Sequence, residues 1–524
     1  MATWYIDNRL TSGSNNGTSP ANAWWSIQDA KVSGSISAGD TVNFVAGSGP
    51  YFESFSTNGT GWLTDIGFSS PNQITSVSTD LTTFGFSSGD ILEVEILSSV
   101  NTVNRRQFQI SGAPTTHAIT VTPSAVVTLA AGNRTRLVDI SAGGNIASFD
   151  PGGNGGAGNP ITWAMNGVEI RAGWVIGQPL GPQFKWNKST FGQEYYLTAA
   201  DGTNPCLVQV VSGTVNGNFM TATAGTVAHA FGTVGSLANQ QLGWGNNDTL
   251  GYNTLYVRND AGNPINLSIG FSRIAEGIYT TWQNHTWVGG VFTYSNDCGI
   301  NSNAAAGVWN VQRCLFQFQA NHALGNGGAG TLISESCIAY WTGHRLVDHY
   351  TSSGGLTQIY NCIACGPHLF ALIDTGSTGT IQIFSSICVH NEAGAIDRKS
   401  TAVLVEECNC WYPTMTAAGG ALGYVDPTNW PTTNGLDIPK LLATTTNTQG
   451  ALTDPLFNNI NDTNYSLCDF HLSSLSRCRG RGAWNRGSTY TDFAGNQYQS
   501  GGAAHSVNMG VYQDVIGNTP RAIR

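Results

Sequence analysis

A five-residue pattern recurs through the second half of the chain, and it limits the fold more than any other feature. Its copies are Val311-Gln312-Arg313-Cys314-Leu315, Ser334-Glu335-Ser336-Cys337-Ile338, Ile359-Tyr360-Asn361-Cys362-Ile363, Ile383-Phe384-Ser385-Ser386-Ile387 and Val405-Glu406-Glu407-Cys408-Asn409, with a degenerate copy at Trp287-Val288-Gly289-Gly290-Val291. The fourth positions fall at 290, 314, 337, 362, 386 and 408, at intervals of 22–25 residues. Self-similarity at such a period marks a solenoid, in which each repeat buries its apolar face only against its neighbours. A coil of three short strands and their turns accounts for the length, and the signature of a leucine-rich repeat is missing. The fold expected is therefore all-β, a parallel β-helix solenoid. Positions 314, 337, 362, 386 and 408 should stack in one interior column, and the cysteines there should be free thiols packed as small polarizable groups.

Composition agrees. Charged residues make up 10% of the chain, against roughly 25% in ordinary soluble domains. The 65 glycines suit a chain rich in turns, and 40% hydrophobic residues exclude a disordered one. A formal net charge of −10 speaks against nucleic acid as a partner. No apolar run is long enough to insert in a membrane. The opening residues lack the basic and apolar stretches of a secretory signal, so synthesis in a cytoplasm is expected.

Both ends carry a resemblance. Trp4-Tyr5-Ile6-Asp7, Asn16-Gly17-Thr18-Ser19-Pro20-Ala21-Asn22-Ala23-Trp24 and Ala38-Gly39-Asp40-Thr41-Val42 resemble the opening of right-handed β-helix proteins related to pectate lyases. Asp454-Pro455-Leu456-Phe457 and Asp469-Phe470-His471-Leu472 resemble that family's closing segment. The departures are Ser476-Arg477 where the family has Ser-Pro, and Gly510-Val511-Tyr512-Gln513 where it has Gly-Ala-Tyr-Glu. The resemblance implies a right-handed β-helix. It leaves activity open, since such rods host lyases, hydrolases, epimerases and inert spikes.

Alternating segments between the ends read as inserted β modules. The expected layout is a cap and first strands at 1–65, a module at 66–140, coil at 141–180, a second module at 181–268, the main coils at 269–412 and a closing segment at 413–524. The first, with Phe86-Ser87-Ser88-Gly89-Asp90-Ile91-Leu92-Glu93-Val94, resembles compact β modules of bacteriophage virion proteins; the second, with Gly235-Ser236-Leu237, Trp244-Gly245-Asn246-Asn247-Asp248 and Leu255-Tyr256-Val257-Arg258, carries a pattern that resembles phage-encoded β-helix proteins. With the absent signal, they imply a virion tailspike, fibre or decoration protein, a homotrimer by expectation, whose partners are other virion proteins and host-surface polysaccharide.

Chemistry is sought along the coils. His322, His344 and His368 follow their column positions by eight, seven and six residues; Asn326, Asp348, Asp374 and Asp397 follow theirs by 12, 11, 12 and 11. This suggests a row of imidazoles beside a row of carboxylates. Carboxylates on adjacent coils would lie roughly 5 Å apart, near the spacing of retaining glycosidases. Asp348, Asp374 and Asp397, with His344 and Glu392 assisting, are thus the candidate catalytic residues. Trp309, Trp341, His322 and His368 are candidate glycan contacts. The structural alternative is that the Asp and Asn residues cap turns. No metal-ligand spacing or nucleotide motif occurs, so no metal or cofactor is expected. Two functions stay open: a glycan-binding adhesion or structural protein, and a polysaccharide-degrading enzyme.

Overall fold

The computed structural model describes chiefly residues 1–51, 59–97, 103–122, 134–139, 153–170, 185–198, 233–245, 254–262, 277–293, 298–317, 322–340, 345–350, 354–368, 378–391 and 403–412, with short strands at 175–176, 207–210, 220–221 and 269–272. From the C-terminal part it describes mainly 457–459, 468–479, 491–495 and 508–512. The protein is all-β apart from one six-residue α-helix and two 3₁₀ turns among these residues.

Among the described residues, three parallel sheets of nine, seven and four strands form a β-helix. The first has nine strands: Thr3–Ile6, Thr41–Phe44, Ile161–Ala164, His285–Val288, Val308–Gln312, Thr331–Glu335, Leu356–Tyr360, Thr380–Phe384 and Val403–Glu407. The second has seven, running from Glu169–Ile170 through Val291–Thr293, Leu315–Gln317, Ile338–Tyr340, Ile363–His368 and Ile387–Asn391 to Cys410–Tyr412. The third has four: Ile278–Thr280, Cys298–Ser302, His322–Asn326 and Arg345–His349. Side chains alternate across each strand, so every second residue enters the interior. One interior column of the first sheet reads Trp163, Trp287, Val311, Ser334, Ile359, Ile383. Its two indoles stack with centroids 4.9 Å apart.

The corner between the first and second sheets is a single left-handed residue in each coil: Gly289, Arg313, Ser336, Asn361 and Ser385 all have φ between 51° and 70°. The next position is the small-residue column. Amides climb it in register, Leu315 N to Gly290 O, Ile338 N to Cys314 O, Ile363 N to Cys337 O and Ile387 N to Cys362 O, each 2.8–2.9 Å. The fifth bond, Cys410 N to Ser386 O, makes the last member of the column Asn409 and not Cys408, which itself lies outside the described residues. Asn409 earns the place chemically, since its Oδ1 accepts from Ser386 N and its Nδ2 donates to Ile383 O. The column cysteines are free thiols with no exposed surface. Burial pushes the Cys314 and Cys362 thiols well above their ordinary value.

At the N-terminal end, the helix Ile27–Val32 starts at Ser26, whose Oγ accepts from Asp29 N at 2.9 Å, and packs Ile27 and Ala30 into the same core as Trp24. Six strands between Ile66 and Asp139 form an antiparallel sheet with a core of its own. Within it the strand Ile91–Leu97 has two buried faces. Leu92, Val94 and Ile96 enter the module core, while Glu93 and Glu95 lie opposite, Glu95 accepting from Arg136 Nε at 2.7 Å. Two further four-stranded antiparallel sheets are built from strands between Val175 and Ser272, slightly beyond 181–268 on both sides. Among the described residues no helix is long and apolar enough to cross a membrane.

The closing segment lies along the second sheet. Phe470, Leu472, Cys478 and Val511 join Leu315, Ile338, Tyr340, Ile363, Cys365, Ile387 and Cys410 in one buried cluster on that sheet's outer face. Polar bonds fasten it at the corner residues: Ser336 Oγ to Thr491 O, Asn361 Nδ2 to Asn508 O and Gly510 N to Ser385 O.

Candidate functional site on the third sheet

The outer face of the third sheet carries polar groups. Register stacks Tyr279, Asn301, Gly325 and Asp348 in one column, and Cys298, His322 and Arg345 in another. The residues one step further, Ser302, Asn326 and His349, form a third column and are buried.

The two rows expected from the sequence are therefore rearranged. Asn326 and Asp348 are not equivalent, because Asp348 pairs with Gly325 while Asn326 pairs with His349. The alternation of the strand sends Asn326 inside, where its Nδ2 donates to Leu356 O and Thr357 Oγ1. The histidines form no row either: the strand partner of His322 is Arg345, and His368 ends a strand of the second sheet. Trp309 is a correction of a different kind. It is fully buried, and its Nε1 donates to Trp282 O at 2.8 Å, so its indole packs the interior instead of contacting a glycan. His344, Asp374, Asp397, Glu392 and Trp341 lie outside the described residues.

Asp348 and His322 do come together. His322 Nε2 donates to Asp348 Oδ2 at 2.9 Å, with side chains 5% and 13% exposed. The carboxylate fixes the orientation of the ring, an arrangement that general acid–base chemistry uses. Beside this pair, Tyr350 reaches back across the middle coil and donates its hydroxyl to Asn301 Oδ1 at 2.7 Å. The crossing needs Gly327, where any Cβ would collide with the Tyr350 ring. A Cβ on Gly325 would meet Asn301 Oδ1 at 2.8 Å and Cys298 Sγ at 3.1 Å. Asn303 Nδ2 donates to Tyr279 Oη at 2.9 Å on the coil below. Sequence reading missed Tyr350, Asn301 and Tyr279; a constant offset of 11 from the column would have aligned Asn301 with Asp348.

Behind this face lies a buried polar ladder. Thr357 Oγ1 accepts from Asn326 Nδ2 at 2.9 Å and hydrogen-bonds His349 Nδ1 at 2.8 Å. Burial lowers the His349 pKa, while the Thr378 backbone and the Asp348 carboxylate pull it the other way. Among the described residues no three His, Cys, Asp or Glu side chains converge as metal ligands.

No protein-family profile matches the chain, and no curated protein matches it. Two solved structures do. One, the complex of XylC with xylose, is 8% identical with a TM-score of 0.37, covering 78% of this chain and 66% of that one. The other, a glycoside hydrolase, is 9% identical with a TM-score of 0.27, covering 82% of this chain and 90% of that one. At these scores neither likeness bears on what this chain does.

Proposed function

We propose that this β-helix binds an extended glycan across the outer face of its third sheet, through Tyr279, Asn301, His322, Asp348 and Tyr350. The observation that carries the reading is the concentration of hydrogen-bonding and phenolic groups on rigid parallel strands, with Tyr350 still 39% exposed. Phenols and amides suit sugars, whose rings offer apolar faces and whose hydroxyls both donate and accept. In this reading the rod is a host-surface adhesion element of a virion spike, assembled as a homotrimer. The low charge and the resemblance of the inserted modules to virion proteins support that setting. A mass-spectrometric inventory of purified particles should contain the chain, and its absence there would remove the virion setting while leaving the glycan face untouched.

The binding claim is tested by a glycan array with the wild type, Tyr350→Ala and Asp348→Asn. Binding by the wild type and at least tenfold weaker binding by both variants are expected. Equal binding by all three would overturn the assignment of this face.

A second reading, depolymerisation, is favoured by one specific contact, the His322–Asp348 pair. New reducing ends or unsaturated products from wild type incubated with a bound polysaccharide, reduced 10²-fold or more in Asp348→Asn, would establish it. No product from wild type leaves adhesion.

A further inference from the structure

The interior column is rich in sulfur. Cys314, Cys337 and Cys362 stand on successive coils, all fully buried. The coil before Cys314 contributes Gly290, and there the thioether of Met165 fills the vacant place, since a Cβ on Gly290 would collide with Met165 Sδ. Four sulfur groups therefore follow one another along the interior. Phe292, Phe316 and Trp287 belong to the same apolar core.

We propose that this column is a binding site for one soft monovalent cation of the copper(I) class, held by two ligands, Met165 Sδ and Cys314 Sγ. Adjacent coils are about 4.8 Å apart, and two metal–sulfur bonds of about 2.3 Å each span that gap. Thioether and thiolate are the ligands such ions prefer. On binding, the S–H bond of Cys314 breaks, its proton leaves to solvent, and one metal–thiolate and one metal–thioether bond form, with no change of oxidation state. A cation of charge +1 and a single thiolate leave the complex neutral, which an apolar interior tolerates; a divalent ion on the same two ligands would strand a buried charge. Zinc, which wants four ligands, finds no cage here among the described residues. Because both sulfur ligands are fully buried, loading belongs to folding, or to an opening of the coils.

The test refolds the full chain with silver(I), a redox-inert probe of the same class, then washes it with excess glutathione to strip silver from accessible thiols. Native mass spectrometry should show one retained ion, and X-ray absorption should show two sulfur neighbours and no nitrogen or oxygen. Met165→Leu, close in volume and so expected to fold, should lower retention at least tenfold, as should Cys314→Ser. Cys362→Ser should retain silver as the wild type does. No retained ion in wild type, retention unchanged by Met165→Leu, or coordination by light atoms would each overturn the site. If Cys314→Ser does not fold, the Met165→Leu comparison decides alone.

Discussion

The second and third sheets share the same coils, yet their outer faces have opposite fates. The second presents Leu315, Ile338, Ile363 and Ile387, and the closing segment covers them with Phe470, Leu472 and Val511. The third presents Asn301, Gly325 and Asp348 from the turns that give Val291, Leu315 and Ile338, with Tyr279 one turn earlier. Both sheets are built from short parallel strands, so side chains decide which outer face is apolar and covered and which is polar. Apolar burial makes the second face a source of stability. Polar groups bonded to one another make the third face nearly neutral for stability.

The contrast breaks most visibly if large side chains are deleted. Trp309→Ala, inside the rod, should cost about 3–5 kcal/mol, and Ile338→Ala, under the closing segment, about 2–5 kcal/mol in urea unfolding. Glycan affinity of the molecules that remain folded should not change. Loss of affinity without loss of stability in Trp309→Ala would return that indole to the ligand face. On the third sheet the expected pattern is the reverse: Asp348→Asn and Tyr350→Phe should cost less than about 1 kcal/mol, with the effect appearing in binding.

A smaller effect tests the ladder behind the polar face. His349 is held neutral by burial, with a folded pKa below its unfolded value. Its contribution is then fully present above the unfolded imidazole value of about 6.5 and is lost as pH falls below it. Protection factors for the amides of 345–350, taken relative to intrinsic exchange at each pH, should fall as pH drops below about 6.5 in wild type and fall less in His349→Gln. Identical profiles would refute the ladder. The smallest effect lies in the first module, which has a core of its own. Burial pushes the Asp65 carboxyl up, but amide and hydroxyl bonds from both Ser78 and Thr79 outweigh it and hold it at about 2. That depressed value gives stability above the unfolded value of about 3.9, lost as pH falls toward the folded one. Asp65→Asn should flatten the acid limb of module unfolding slightly and leave the coils unaffected.

Much of the rod was legible because coils repeat, and its one slip is instructive. Choosing Cys408 followed the cysteines, whereas the apolar residue after each column position, Leu315, Ile338, Ile363 and Ile387, leads to Cys410 and hence to Asn409. The same discipline would have found the third sheet: offsets of eight give Cys298, His322 and Arg345, and offsets of 11 give Asn301, Gly325 and Asp348. Comparing residue types at drifting offsets instead joined Asn326 to Asp348, although one residue of shift reverses the face of a strand. Other features carried no signal. Tyr350 reaches two coils back because Gly327 leaves room, a coincidence of three-dimensional packing. Trp309 reads as a sugar platform until its alternation partner Val311 shows which way both point. The burial of Glu93 and Glu95 on the second face of their strand is equally invisible to period-two reading.

Hydrogen–deuterium exchange with and without a bound polysaccharide tests the central claim most directly, because it reads both outer faces in one experiment. Protection is expected in peptides covering 298–303, 322–327 and 345–350, with no change in 468–476, which covers the second sheet. Protection confined to 468–476 or to the inserted modules, with the third sheet unchanged, would contradict the account.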